Sequence, residues 1–292
     1  MGDKVRPHSR ARANGGLNFL SALLLAALFR LCDAWGAPLE PAPVKSVEVL
    51  GTAFAVTLAD GRVLTSPQLV GATLAVATRA GLIRIRIDAV ETDPGDERLS
   101  ALASDAVWLH QLSYAADDGE WRNFCDAGPD GRRQGFPLAG QVLPDGAMAA
   151  SPAGLFEIVC TGGARGKCVR FGYRPWEKRP DGVSTWDLFN ACVRLVRADY
   201  AGDGRGTTRD GQEIDIYDRF GVQSTASVPA HDFEAGFDAA GAVCVRHVRV
   251  KDNVSLFALE ADVPGLRGKT GAVCTEEFAR AQGALLFVRS PP

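Results

Sequence analysis

Short segments in which apolar and polar residues alternate run through the first half of the chain, as in half-buried β-strands. Leu82–Ile87 is the clearest case, because its apolar side chains alternate with two arginines. Phe54–Leu58 runs into Asp60-Gly61, a pair typical of the tight turn that closes a β-hairpin. Three more strands are predicted at Val47–Leu50, Leu74–Ala77 and Val107–Leu112. Together these segments predict a small antiparallel β subunit over residues 45–120.

The periodicity changes from two to that of a helix in the second half of the chain. Ser184 is followed three residues later by Asp187, which has the form of a capping box at a helix start. The apolar positions that follow recur at helical spacing: Leu188, Cys192 and Leu195. The opposite, polar face is expected to carry Asn190, Arg194 and Arg197. We therefore predict a helix over residues 185–200, with Cys192 pointing inward and with Gly202 and Gly204 ending it.

The rest of the second half predicts further strands and one more helix. Thr275 begins a second short helix over residues 275–282, and Gly283 ends it. Residues 126–152 are rich in Gly, Pro and Asp and are predicted as long surface loops. Strands are predicted at Glu213–Tyr217, Val243–Val248 and Leu285–Val288. Because strands and helices do not alternate regularly, the pattern favours the α+β class, mainly antiparallel β with two short helices, and residues 121–292 form the second domain.

The N-terminal segment has the three parts of a secretory signal peptide. Four basic residues precede a mostly apolar run of 13 residues, Leu17–Phe29, and the small-residue site Ala34-Trp35-Gly36 follows. That run is shorter than the roughly 20 apolar residues of a membrane-spanning helix. We therefore expect residues 1–36 to be a signal peptide, with an uncleaved anchor as the alternative. A linker over residues 37–44 then leads into a mature chain without a transmembrane helix.

Six of the seven cysteines lie beyond the predicted signal peptide. An even number of cysteines in an exported chain predicts disulfides, which persist in an oxidising compartment. Cys160 and Cys168 flank a glycine-rich segment that would allow a sharp reversal, so we predict a bond between them. The remaining four allow three connectivities: Cys125, Cys192, Cys244 and Cys274. A zinc site is disfavoured, because no C-x-x-C is present and the histidines lie at no ligand spacing.

The charge and composition of the chain limit the classes of partner that it can have. The formal net charge is −3, so the chain has no basic field that would attract nucleic acid. Hydrophobic residues make up 46% of the chain, as in a globular protein and unlike an extended disordered one. We expect a disulfide-stabilised protein that is secreted, periplasmic or part of the cell envelope, with no cofactor and with an envelope or extracellular ligand as its partner.

Four segments of the second half resemble the ADYC-domain family of bacterial exported proteins. They are Cys168–Trp176, Ala191–Arg194, Arg197–Gly204, and Thr208–Gly211 with Ile214-Asp215. Their order and spacing fit the family along roughly residues 105–290. The resemblance implies an exported, cysteine-bearing domain and no particular activity. Ala201 stands where the family motif has a cysteine after Asp-Tyr, so a thiolate nucleophile is unavailable there or one structural bridge is lost.

Five aspartates lie within 20 residues: Asp199, Asp203, Asp210, Asp215 and Asp218. Oxygen ligands at this density could hold Ca²⁺, and two such acids could form the carboxylate pair of a glycosidase-like hydrolase. The EF-hand order is absent, however, and aspartates beside glycines commonly form turns and caps. Turns are therefore the favoured interpretation, with a calcium-stabilised module and an envelope hydrolase using residues 199–218 as alternatives.

Tyr173 and Trp176 belong to the run Gly172–Trp176, which could present aromatic rings to a sugar or peptide. A packed corner beside a disulfide is the favoured interpretation, with the aromatic contact as the alternative. Because no intact nucleophile–base pair or metal constellation is recognisable, the sequence favours a non-catalytic binding or cell-envelope protein.

Overall fold

The computed structural model describes residues 42–78, 81–95, 106–128, 130–151 and 154–292. The signal peptide expected at residues 1–36 lies outside these ranges, as does most of the linker. The described part of that linker already enters the fold, since Val44 is the first residue of a strand.

The first half of the described chain forms two antiparallel sheets. The smaller has three strands in the order β1-β2-β3, with bounds Val44–Leu50, Ala53–Leu58 and Val63–Thr65. The larger has the order β11-β8-β6-β5-β4, with β7 paired to β6. Its bounds are β4 Thr73–Thr78, β5 Gly81–Thr92, β6 Trp108–Ala115, β7 Trp121–Asn123, β8 Gly135–Ala139 and β11 Phe156–Cys160. The predicted Asp60-Gly61 hairpin is confirmed, because β2 and β3 pair across it.

The described residues also form a two-stranded hairpin, four α-helices and a four-stranded antiparallel sheet. The hairpin joins β9 (Gln141–Val142) and β10 (Met148–Ala149). The helices are α1 Ala164–Arg170, α2 Thr185–Arg197, α3 Leu256–Asp262 and α4 Glu276–Ala281. The sheet has the order β12-β15-β13-β14, with bounds Asp215–Asp218, Leu286–Ser290, Asp232–Asp238 and Gly241–Val245. The α+β class is confirmed, and α2 and α4 are the two predicted helices.

The larger sheet crosses the domain boundary that the sequence predicts at residue 120. Its strands β4 to β6 precede that residue, while β8 and β11 follow it. Residues 126–152, predicted as surface loops, therefore contain β8, in which Phe136 and Leu138 are buried. The sequence does not predict this strand because Pro137 lies within it, and proline is unusual inside a sheet.

Two hydrophobic cores lie on opposite faces of the larger sheet. On β11, Phe156 and Ile158 face a first core shared with the three-stranded sheet, while Val159 faces a second core around α2. Alternate residues of a strand point to opposite faces, so one strand serves both cores. The first core also contains Val47, Phe54, Val56, Ile85, Ile87 and Leu112. The second also contains Leu109, Phe136, Phe189, Leu195, Phe237 and Val288.

All six cysteines of the described chain form disulfides, but the predicted Cys160–Cys168 bond is wrong. The bonds join Cys125 to Cys160, Cys168 to Cys192, and Cys244 to Cys274, with Cα atoms 5.5, 5.8 and 5.5 Å apart. Between Cys160 and Cys168 the chain forms helix α1 instead of a reversal. Gly166 serves close packing there, because a Cβ at this position would lie 2.3 Å from the carbonyl oxygen of Cys160.

Helix α2 begins as predicted, but its polar face is buried. The Ser184 hydroxyl accepts a hydrogen bond from the backbone N–H of Asp187. The helix ends at Arg197, where Ala198 takes the left-handed conformation with φ of +50°, before the predicted glycines are reached. Asn190 and Arg194, expected to face solvent, are both buried. Asn190 holds the β9–β10 hairpin over this face by exchanging two hydrogen bonds with the backbone of Met148.

Candidate functional site

A cleft of about 450 Å³ opens where β11, the β9–β10 hairpin, the start of α1 and the end of α2 meet. The hairpin and strand β11 supply its apolar walls, including Val142, Leu143 and Val159. Its charged lining comes from four segments of the chain: Glu157, Arg165, Arg194, Arg197, Asp199 and Asp203. A concave site with apolar walls and a few convergent polar groups is the usual form of a small-molecule site.

Glu157 reaches the cleft because it lies between two residues of β11 that face the first core. The residue is only 7% exposed. Its Oε1 accepts a hydrogen bond of 2.8 Å from Arg165 Nη1, whereas its buried Oε2 has no partner among the described residues. Burial raises the pKa of this carboxyl group, and the nearby Arg165 partly opposes the rise. A single acidic residue within an apolar strand was the signal that sequence reasoning overlooked.

Arg165 spans the cleft from helix α1 to the hairpin. Its Nη2 donates a hydrogen bond of 2.9 Å to the carbonyl oxygen of Gly146, while its buried Nε has no partner in the described part of the chain. Burial lowers the pKa of this guanidinium, Glu157 opposes that shift, and the positive charges of Arg197 and Arg194 add to it. Three guanidinium groups therefore converge on one small space, which no spacing in the sequence indicates.

Arg194 and Asp199 form the floor of the cleft and are both buried. Arg194 Nη1 lies 2.6 Å from Asp199 Oδ2 and 2.7 Å from the carbonyl oxygen of Asp145. Arg194 Nη2 also donates to the Asp145 carboxylate at 2.9 Å. The hairpin covers this face of α2, so the Arg194 guanidinium is buried and pairs with two carboxylates, those of Asp145 and Asp199. Its donors are therefore used within the protein.

The loop after α2 wraps around Asp199. The carboxylate accepts backbone N–H groups of Asp203 at 3.2 Å and of Gly204 at 2.9 Å. Glycine is required at position 202, where φ is +70° and a Cβ would lie 1.5 Å from the carbonyl oxygen of Ala240. This loop forms one rim of the cleft and carries Asp203 to its edge.

Tyr200 anchors the same loop to the second core through a fully buried network. Its hydroxyl donates to Glu234 Oε1 at 2.9 Å and accepts the backbone N–H of Arg249 at 2.9 Å. Arg249 pairs with Glu234 through two hydrogen bonds of 3.0 Å, and both side chains are 0% exposed. Arg249 also donates to the carbonyl oxygens of Leu195 and Val196 at the end of α2. The Ala-Asp-Tyr sequence at 198–200 thus ends helix α2, places Asp199 in the cleft and anchors the loop to the second core through Tyr200.

This region lies within the part of the chain that matches a protein family. The profile of the ADYC domain matches residues 66–251, which is more than half of the chain. The chain belongs to the ADYC domain family. The match begins earlier and ends earlier than the resemblance recognised along residues 105–290, so the ADYC domain includes strands of the first half. Searches of curated proteins and of solved structures found no match.

Ala201, which stands in place of the ADYC motif cysteine, is exposed at the turn beside the loop. The six cysteines of the described chain are already paired with one another. In this ADYC protein the motif therefore contributes hydrogen bonds from the carboxylate of Asp199 and the hydroxyl of Tyr200, and position 201 carries no thiol.

The five predicted aspartates occupy different local settings, and only Asp199 and Asp203 line the cleft. Asp215 accepts hydrogen bonds from Thr225 Oγ1 and the backbone N–H of Ala226. Asp218 accepts three backbone N–H groups from residues 220–223 of its own loop. Asp210 lies exposed in a turn. Within the described ranges, no three His, Cys, Asp or Glu side chains gather as a metal site requires.

Tyr173 and Trp176 form a packed corner. The Tyr173 ring is buried in the second core, and its hydroxyl donates to Asp218 Oδ2 at 2.8 Å. Burial, together with the Asp218 charge, raises the pKa of this phenol well above its usual value. Trp176 is partly buried against the same core and lies against Gly51. The burial of Tyr173 agrees with the favoured interpretation of a packed corner, because its side chain spans from the core to a loop carboxylate and leaves the ring unexposed to a ligand.

None of the helices in the described part of the chain combines the length and apolar character needed to cross a bilayer.

Proposed function

We propose that this ADYC protein is an exported, non-catalytic binding protein that holds a small polar molecule in the cleft beside the Ala-Asp-Tyr loop. One observation carries the proposal. Glu157 and Arg165 both line the cleft, and each has a buried atom without a partner among the described residues, the acceptor Oε2 and the donor Nε. Buried polar atoms without partners are costly, and a ligand that completes their hydrogen bonds recovers that cost on binding.

Export is supported by the covalent structure. Three disulfides join residues 24 to 35 positions apart, and such bonds persist in oxidising compartments. The basic and apolar segments within residues 1–36 have the order of a secretory signal peptide. We therefore place the binding function in the periplasm, the cell envelope or the medium.

The alternatives drawn from the aspartates gain less support. A carboxylate pair or a calcium site needs free carboxylate oxygens that converge. Four of the five aspartates instead accept backbone N–H groups from nearby loop residues: Asp199, Asp203, Asp215 and Asp218. These bonds favour the interpretation of the aspartates as turn-forming residues over a hydrolase or a calcium-stabilised module.

A thermal-shift screen of the purified protein tests the proposal. The probes are amino acids, dipeptides, monosaccharides, carboxylates and inorganic phosphate at millimolar concentration, because a ligand that binds only the native state raises the melting temperature. We expect at least one probe to do so in a saturable way. Asp203→Trp, which places a large ring at the rim of the cleft, should abolish that shift.

The matched control is Asp210→Trp, which adds the same ring to an exposed turn that does not line the cleft. It should respond to the same probe as the wild type does. If the ligand raised the melting temperature equally in both tryptophan variants, the binding site would lie outside the cleft. No shift with any probe would contradict the proposed function.

A further inference from the structure

The cleft contains one guanidinium group that the fold leaves largely unused. Arg197, the last residue of α2, donates from Nη2 to the carbonyl oxygen of Gly204. Its Nε and Nη1 make no hydrogen bond with the described residues. An arginine carries five N–H donors in a rigid fork that matches a carboxylate or phosphate. Arg197 therefore offers a charged, half-buried donor set at the wall of the cleft.

Arg194, one turn earlier on the same helix, shows what a structural arginine looks like here. All three of its nitrogens donate, to the Asp145 and Asp199 carboxylates and to the carbonyl oxygens of Asp145 and Ala239. Its charge is balanced within the protein. Arg197 has no carboxylate partner in the described chain, so its charge is the one that remains for an incoming anion.

Glu157, which lines the same cleft from strand β11, offers the complementary group. Glu157 Oε2 is an acceptor without a partner, on a residue that is more than nine-tenths buried. The terminal torsion of a glutamate side chain is soft, so a donor that enters the cleft can turn the carboxylate toward itself at small cost. Arg165 holds the other oxygen, Oε1, and fixes the position of the group.

We propose that the ligand is a small zwitterion, such as a free amino acid or a short peptide. Its carboxylate binds Arg197 and its ammonium group donates to Glu157 Oε2. The inference rests on the proposed function and gives its ligand a chemical class. Arg165 and Arg194 are already paired with Glu157, Asp145 and Asp199, so Arg197 is the arginine of the cleft whose charge an anionic group would meet. The volume of about 450 Å³ lies toward the small end of small-molecule sites and suits such a ligand.

Isothermal titration with three classes of probe tests this assignment. The zwitterions are the amino acids and glycine-containing dipeptides, the anions are acetate and inorganic phosphate, and the cation is ethylamine. We expect a zwitterion to bind about tenfold or more tightly than acetate, phosphate or ethylamine, because only it satisfies both groups. Arg197→Gln and Glu157→Gln should each weaken that binding by about tenfold or more.

Arg205→Gln is the matched control, since Arg205 lies on the same rim loop with its side chain 89% exposed. Its affinity should equal that of the wild type. If Glu157→Gln does not fold, Arg197→Lys compared with Arg197→Gln decides the point, because lysine keeps the charge and should retain part of the affinity. Preferential binding of phosphate, acetate or a sugar would overturn the zwitterion and leave the proposed function standing. Failure of every probe would overturn both.

Discussion

Of the three hydrophobic cores among the described residues, the two that lie on opposite faces of the larger sheet differ in composition. The first core joins aliphatic and aromatic residues of two sheets, and the polar pair Ser66 and His110 lies beside Phe54 at its centre. The second core surrounds α2 and includes two buried ion pairs, Arg194–Asp199 and Arg249–Glu234. It also contains the Cys168–Cys192 disulfide. The first core is held together mainly by apolar burial, and the second adds buried charge and a disulfide.

This difference explains where the cleft lies. A core made mostly of apolar side chains leaves few groups that need a polar partner; in the first core Ser66 and His110 pair with each other, and His110 Nδ1 has no partner among the described residues. A core that buries arginines must bring carboxylates and carbonyl oxygens to each of them, and any shortfall remains as an unpaired donor or acceptor. Glu157 Oε2 and Arg165 Nε are that shortfall, at the edge of the second core. The ADYC motif supplies Asp199, one of the charges of the cleft, and the loop that forms one rim of it.

Removing one partner of the fully buried ion pair should have the largest effect on stability. Arg249→Met leaves the buried Glu234 carboxylate without its cation, while the backbone N–H of residue 249 can still donate to the Tyr200 hydroxyl. Breaking a buried pair in this way costs about 3–5 kcal/mol. We expect a loss of that size in the free energy of unfolding, measured by urea denaturation followed by circular dichroism. The double variant Arg249→Met/Glu234→Gln should recover part of the loss, because no buried charge then remains unpaired. A loss below about 1 kcal/mol would mean that the second core, like the first, depends on apolar burial alone.

The disulfide between α1 and α2 should have the next largest effect. Replacing Cys168 and Cys192 together by alanine releases a loop of 24 residues and should lower the free energy of unfolding by about 3 kcal/mol. Denaturation of the variant beside the wild type measures the loss. Mass spectrometry of an unreduced digest provides the check on connectivity. It should yield a Cys125–Cys160 peptide pair, and recovery of a Cys160–Cys168 pair would contradict this structure.

The contrast between the cores also separates what the sequence predicted from what it did not. Phe54–Leu58 and Leu82–Ile87 were predicted as strands because a sheet with one buried face leaves a period of two in its sequence. The same logic failed for Arg194. When the polar side of a helix is also covered, its buried positions no longer coincide with its apolar ones, so the sequence does not show that Arg194 is buried. It failed for Cys160 as well, since a bond to Cys125 depends on which strands become neighbours.

The cleft itself could be only partly predicted. The Ala-Asp-Tyr segment was singled out by its resemblance to the ADYC family, and Asp199 does line the site. Glu157, Arg165 and Arg197 come from three elements that meet only through the tertiary fold, and no local pattern marks them as neighbours. The β9–β10 hairpin, which closes the cleft, lay in a segment predicted as loop.

The buried histidine of the first core should make the stability of this half depend on pH. His110 Nε2 lies 2.7 Å from Ser66 Oγ, and burial lowers the pKa of His110 to about 4. The unfolded chain takes up a proton near pH 6.5, whereas the folded protein does so only near pH 4. Stability should therefore be complete above pH 6.5 and fall by about 3 kcal/mol as the pH drops to 4.

Urea denaturation of the wild type and of His110→Gln across this pH range measures that dependence. Glutamine keeps a polar group near Ser66 but has no proton to take up, so the two curves should converge as the pH falls. Parallel curves would show that His110 does not titrate differently in the folded and unfolded states.

The smallest effect should come from an ion pair that copies the chemistry of Arg249 and Glu234 on the surface of the same half. Arg209 and Asp252 also join an arginine to a carboxylate, but their side chains are 55% and 82% exposed. Water already solvates both charges, so the pair gains little from contact. Arg209→Gln should change the free energy of unfolding by less than about 1 kcal/mol, measured as for Arg249→Met. A loss comparable to that of Arg249→Met would mean that an ion pair stabilises this half whether or not it is buried. The smaller loss that we expect would mean that burial decides the contribution, because only charges removed from water depend on a partner within the protein.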